Sequence, residues 1–181
     1  MPPALLKSWI DELQASGRYS FLRSEAVQNS GLTPNAVSKA LRQAAKDGRI
    51  VRLKEYAYVI VPLEYRAAGA PPPSWFIHDL MTTMELPYYV GLLSAAALHG
   101  ASHQQPQVFQ VMTDRSVRPI PVGRTKLQFL ASKYVSRAAV KEVKTPTGLM
   151  RVSTPETTVV DLVRFAKAAG HLDHVSALIA E

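Results

Sequence analysis

The apolar positions of the first sixty residues change period as the chain advances. Leu5, Leu6, Trp9, Ile10 and Leu13 fall three and four apart, which predicts an amphipathic helix that stops near Gly17. Residues 19–22 are aromatic and apolar and predict a short strand. Residues 23–29 read as a short helix with Ala26 and Val27 inward, followed by a turn at Ser30, Gly31 and Leu32. Thr33 then supplies an N-cap and Pro34 occupies the first helical position, a strong start signal. The helix they begin runs to about Asp47, with Gly48 as its stop. Its inward set is Val37, Ala40, Leu41 and Ala44, with Ala45 as a further candidate. Residues 49–53 and 57–61 are β-prone runs joined by Lys54, Glu55 and Tyr56, and predict a hairpin.

The pattern breaks at residues 62–73, which read PLEYRAAGAPPP, with four prolines in 12 residues. Consecutive prolines cannot sit in a helix interior or a central strand, so this stretch reads as a linker between residues 1–61 and 74–181. Beyond it the pattern is mixed α+β. Residues 75–84 read as a helix, and residues 91–99 as a nearly all-apolar, buried helix ended by Gly100. Residues 108–112 and 127–131 are strand-like. Residues 139–144 and 149–152 flank the turn Thr145-Pro146-Thr147-Gly148 and predict a hairpin. Ser153 or Thr154 then caps a helix from Pro155 to about Ala169, with Val159, Val160, Leu162, Val163 and Phe165 as its apolar face. Residues 172–180 read as a further helix. Glu181 carries no closing signal, which leaves open a longer natural chain.

Composition narrows the chemistry. The chain has 181 residues, 47% of them apolar, a globular composition for one ordinary domain or two small ones. It has no cysteine, which excludes disulfide scaffolds, Cys-ligated zinc fingers, cysteine nucleophiles and Cys-held iron–sulfur clusters. No run approaches the roughly 18 apolar residues of a spanning helix, and residues 1–14 do not read as a signal peptide, so the cytoplasm is the expected location. The 21 Lys and Arg against 14 Asp and Glu give a charge of +7, which favours acidic partners, nucleic acid above all.

That charge is unevenly placed. Helix, short helix, turn, helix and hairpin is the order of a winged helix-turn-helix, whose last helix must bury one face and present the other to the major groove. The outward stripe here is Asn35, Ser38, Lys39, Arg42 and Lys46, with Gln43 at its edge; Asn35, Ser38, Lys39, Arg42 and Gln43 are the candidate base readers, because asparagine pairs bidentately with adenine and arginine with guanine. Lys46, Arg49, Arg52 and Lys54 are the candidate phosphate contacts, where charge matters more than shape. A second excess lies between Arg115 and Arg151, with nine Lys and Arg against the single Glu142. It reads either as a solvated face or as a positive surface toward nucleic acid or an acidic partner.

Two later runs carry a resemblance. Residues 88–100, YYVGLLSAAALHG, resemble a "yaS-x-x-SAa-x-lHG" helix, and residues 148–163, GLMRVSTPETTVVDLV, resemble a "g-x-x-vss-pErTlvDll" segment. Both belong to the AbiEi-type antitoxins of type IV toxin–antitoxin systems, whose layout of winged helix followed by α+β domain this chain resembles. Gly91 stands where that family often has serine, and Thr157 where it often has arginine. The resemblance implies a repressor that binds inverted repeats in duplex DNA of its own promoter. It also implies an antitoxic second domain and a nucleotidyltransferase-like toxin encoded nearby. It leaves open a homodimer or an assembly formed on DNA.

Other chemistries find less support. His99 and His103, and His171 and His174, have ligand-like spacings, but Gly100 interrupts the first pair. Asp114, Glu156 and Asp161 are the carboxylates a metal-dependent nuclease would use, yet no Asp-x-Asp or Glu-x-Glu pair occurs. Phosphate-binding glycine loops and Gly-x-Ser-x-Gly are absent. The expectation is therefore a protein without catalytic residues, metal or cofactor. Two readings stay open beside it: a nuclease-like or RNA-directed enzyme that uses the winged helix to hold substrate, and a protein-interaction module.

Overall fold

A computed structural model of the chain describes residues 2–53, 57–101 and 107–170. Lys54, Tyr56, His103, His171, His174 and the expected helix at 172–180 lie outside the described residues. The fold is mixed α+β and divides into two compact units. The first comprises Met1–Glu85, Ile120–Arg124 and Thr145–Gly148; the rest forms the second. The Pro-rich stretch therefore groups with the first unit, and the division falls after Glu85 rather than at residues 62–73. Two short 3₁₀ turns, Leu63–Tyr65 and Pro73–Trp75, lie in and just after that stretch. Aromatic edges secure it, with the Trp75 ring 5.1 Å from both Tyr19 and Tyr65.

In the first unit, α1 (Pro2–Ala15), β1 (Ser20–Leu22), α2 (Arg23–Asn29), α3 (Pro34–Lys46), β2 (Ile50–Arg52), β3 (Ala57–Ile60) and α4 (Ile77–Thr83) follow in order. The strands form an antiparallel sheet in the order β1-β3-β2, with Phe21 opposite Tyr58 and Val51 opposite Val59. The start of α3 is as the residue types require. Thr33 Oγ1 accepts the Ala36 N–H at 3.3 Å, and Pro34 takes the position that needs no N–H. Gly48, at φ +68°, supplies the left-handed residue after the helix that a side chain would resist. Leu6, Ile10, Phe21, Ala26, Val37, Leu41, Ile50 and Ile60 make the core. Burying side chains such as Val37 and Leu41 contributes about 1.5–3 kcal/mol each.

In the second unit, β4 (Tyr88–Val90), α5 (Leu92–Leu98), β5 (Val108–Thr113), β7 (Thr125–Ala131), β8 (Val140–Thr145), β9 (Gly148–Ser153) and α6 (Pro155–Arg164) build one layered domain, while β6 (Ile120–Val122) groups with the first unit. Its strands lie in the order β7-β5-β4-β9-β8. β4 runs antiparallel to β5 and parallel to β9, and β5 runs parallel to β7 over six residue pairs. Helices α5 and α6 pack against each other, and α5 also packs on β5.

Three expectations for this unit change. Tyr88–Val90 forms a strand, and the helix of the first motif begins only at Leu92. Leu98, expected inside, is 48% exposed. Helix α6 ends at Arg164, followed by a 3₁₀ turn at Ala166–Ala169, and only Leu162 and Phe165 of its expected apolar face pack inward. Thr158, Asp161 and Leu162 are buried, whereas Val159, Val160 and Val163 face outward. The reason is hydrogen bonding. Thr158 Oγ1 and Ser153 Oγ are 2.7 Å apart, and Tyr89 Oη donates to Asp161 Oδ2 at 2.7 Å. Satisfied polar groups thus occupy the inner face that apolar periodicity assigned to valine.

Candidate nucleic-acid interface

Helix α3 carries the basic stripe. Val37 and Leu41 are buried, and Ala40 and Ala44 pack partly buried against the core. That anchoring leaves Asn35, Lys39, Arg42 and Lys46 exposed on the remaining surface of the helix, as their spacing requires. Gln43 is also exposed, and its Nε2 donates to Asp47 Oδ1 at 2.8 Å, one turn on. Arg52 is exposed at the end of β2, opposite Tyr58 on β3.

Ser38 and Arg49 are tied to side chains of other helices. Ser38 Oγ accepts from Arg23 Nε at 3.2 Å and from Nη2 at 2.7 Å, and it donates to the Pro34 carbonyl at 2.9 Å. Arg23 Nη2 also donates to that carbonyl at 3.2 Å. Ser38 is therefore an anchor for Arg23, the first residue of α2, and ties the two helices at the start of the stripe. Sequence reading passed over Arg23 because its partner lies 15 residues on. Arg49 Nη2 pairs with Asp11 Oδ1 of α1, which offsets its charge in the free protein.

In the second unit the two resembling motifs meet. Val90 pairs with Val152 in parallel register, and Ser153 Oγ donates to the Val90 carbonyl at 3.3 Å. His99, at the end of α5, bonds through Nε2 to the Ser153 carbonyl at 2.9 Å, a further tie between the two motifs. A Cβ on Gly91 would stand 2.8 Å from Met112 Cγ, so the short residue lets β4 lie close to β5. Tyr89 is 2% exposed and joins Asp161 from 72 residues away. Burial, first of all, holds the Asp161 carboxyl above the ordinary aspartate range, against the opposing pull of Tyr89 and Arg164. Burial and the neighbouring carboxylate likewise push the Tyr89 phenol far above its usual value.

These tied segments are where the chain matches a known family. A model of the AbiEi antitoxin C-terminal domain covers residues 89–181. The chain belongs to the AbiEi antitoxin family. No curated protein matches it. Membership supports an antitoxin role in a toxin–antitoxin system and implies a toxin partner. AbiEi antitoxins are typically regulatory proteins and not catalysts.

Of the carboxylates weighed for metal chemistry, Glu156 and Asp161 both belong to α6, whereas Asp114 follows β5. Asp114 is exposed and pairs with Arg115 at 3.0 Å, which holds its carboxyl below the usual range. Glu156 is exposed in the first turn of α6, and its carboxyl is lowered chiefly by a hydrogen bond to its own backbone N–H. Among the described residues no group of three or more His, Asp or Glu could hold a metal ion. None of the described helices is long and apolar enough to cross a membrane. The basic residues at 115, 118, 124, 126, 133, 137, 141 and 144 are exposed, and Arg151 is partly so.

Proposed function

We propose that this antitoxin binds duplex DNA through its first unit and represses its own operon at inverted repeats. The first unit acts as a winged helix-turn-helix, with α2 and α3 as the paired helices and β2 and β3 as the wing. The observation that carries this reading is the division of α3: Val37 and Leu41 anchor it, while Asn35, Lys39, Arg42 and Lys46 remain exposed. Asn35 and Arg42 read base edges, with Lys39 and Gln43 beside them. Ser38 contributes by fixing Arg23 rather than by touching a base. Lys46 and Arg52 hold phosphates, joined by Lys54 and by Arg49 once DNA competes with Asp11. Two copies occupy the two half-sites, as a dimer formed beforehand or on the DNA. The second unit is the antitoxic part, its partner is a nucleotidyltransferase-like toxin encoded nearby, and both work in the cytoplasm.

A mobility-shift titration on the upstream promoter over a salt series tests this reading. Each phosphate neutralised lowers the logarithm of affinity by about 0.9 per logarithm of salt. Lys46→Ala should reduce that slope by about 1 and weaken operator and unrelated DNA alike. Binding that ignores salt, or that never distinguishes the promoter from unrelated duplex, overturns the proposal.

A further inference from the structure

A cavity of about 330 Å³ opens within the second unit beside α6, a volume at the small end of ligand sites. Asp161 forms part of its wall and is only 2% exposed. Tyr89 occupies Oδ2 of this carboxylate, whereas Oδ1 has no hydrogen bond among the described residues and keeps a little solvent contact on the cavity side. No cation lies within ion-pairing distance of Asp161 among the described residues either. A largely buried carboxylate with one oxygen left open toward a cavity is the kind of group that concentrates at functional sites. Asparagine would serve Tyr89 equally well as an acceptor, so the bond to Tyr89 does not by itself call for an ionisable residue.

Glu156, exposed at the start of α6, adds a second carboxylate to the lining, and the other charges there are of opposite sign. Arg137 and Arg164 stand at the cavity, both exposed, and the Arg164 guanidinium lies over the Tyr134 ring at 4.8 Å. Val160, 55% exposed, adds an apolar wall. A simple anion would engage the arginines and leave Asp161 unpaired. A simple cation would engage Asp161 and meet the arginines. The complementary ligand has an anionic end, a hydrogen-bond-donating end and a flat body between them. A nucleotide has all three, because phosphate suits guanidinium, an exocyclic amine suits a carboxylate, and a base face suits an apolar and aromatic wall.

We infer that this cavity binds a nucleoside phosphate whose base carries an amino group, either free or as an unstacked residue of a single strand. Cytosine and guanine offer Asp161 an amine. Uracil offers one N–H flanked by two carbonyls that repel the carboxylate.

Titration calorimetry of the full chain with GMP, CMP, UMP, inorganic phosphate and a short single-stranded RNA tests the assignment. GMP and CMP should bind about tenfold more tightly than UMP or phosphate, the effect of one base-edge contact. Asp161→Asn keeps an acceptor for Tyr89 but turns an amide N–H toward the ligand, and should erase that preference. Arg137→Gln, at an exposed position, should weaken all nucleotides together, and it carries the test if Asp161→Asn melts early. Mononucleotide binding assigns the site to free nucleotides; the same base preference seen only with RNA assigns it to a single strand. Promoter retention should be unchanged in Asp161→Asn, which separates this site from the DNA-reading one. No binding of any probe up to about 10 mM, or equal binding of UMP and GMP indifferent to Asp161→Asn, overturns the inference.

Discussion

The two units solve the problem of a small core in different ways. The first buries a nearly pure apolar set around Phe21, Val37 and Leu41, and keeps its charges outside. Its two fully buried side-chain hydroxyls, Ser20 and Ser30, find no hydrogen-bond partner among the described residues. The second buries Gln110, Thr113, Ser94, Ser153, Thr158 and Asp161, and connects most of them. Gln110 is the clearest case. Its Oε1 accepts the Leu93 N–H at 3.0 Å, and its Nε2 donates to the Ala168 carbonyl at 2.9 Å and to Gln128 at 3.2 Å. An apolar core specifies a helix face by periodicity, and the outer face is then free to carry a ligand. A networked core specifies partners one by one, and places chemistry inside.

Core substitutions give the largest effects and should break this contrast if it is wrong. Leu41→Ala in α3 should cost about 2–5 kcal/mol, because it leaves a cavity under the basic stripe. Denaturant unfolding followed by a mobility shift should show stability and promoter binding falling together. Gln110→Ala should cost about 1–3 kcal/mol for each buried partner it strands, while promoter binding at low temperature persists. If Gln110→Ala proves harmless, the network is decoration and the second unit is held by apolar contact alone.

The subtlest effect is a slope in pH. The Asp161 carboxyl is raised in the folded state from an ordinary value of 3.8. The folded protein therefore binds this proton more tightly than the unfolded chain does. Its share of stability is present below 3.8 and is lost as pH rises through the raised folded value. Thermal melts of wild type and Asp161→Asn across mildly acidic pH should converge toward low pH and separate above it. Parallel curves would show that burial does not perturb this carboxyl.

The first unit was largely legible from sequence, and the reason is physical. Amphipathic period, a Thr-Pro cap and a glycine stop are local signals, and α2, α3 and the β2/β3 pair follow them closely. The exposed stripe at Asn35, Lys39, Arg42 and Lys46 came from the same period. The ties that modify the stripe were not legible. Arg23 meets Ser38 across 15 residues and Arg49 meets Asp11 across 38, distances that only the fold closes. Beyond the Pro-rich stretch, β4 of the second unit and β6 of the first have three residues each, too few for alternation to show against a neighbouring helix or a proline. The orientation of α6 was hidden because its inner face is polar. The cavity beside it was hidden for the same reason, since Tyr89 and Asp161 announce themselves only as a pair.

The central claim is that the exposed face of α3 reads sequence, and Arg42 tests it most directly. The measurement is the ratio of affinities for the promoter repeat and a shuffled duplex at one salt concentration, for wild type and Arg42→Ala. Wild type should prefer the repeat by about a thousandfold or more. Arg42→Ala should lose about 1–3 kcal/mol on the repeat, much less on the shuffled duplex, and relax the preference at one base pair. A variant that weakens both duplexes equally, or a wild type that does not distinguish them, would contradict the claim.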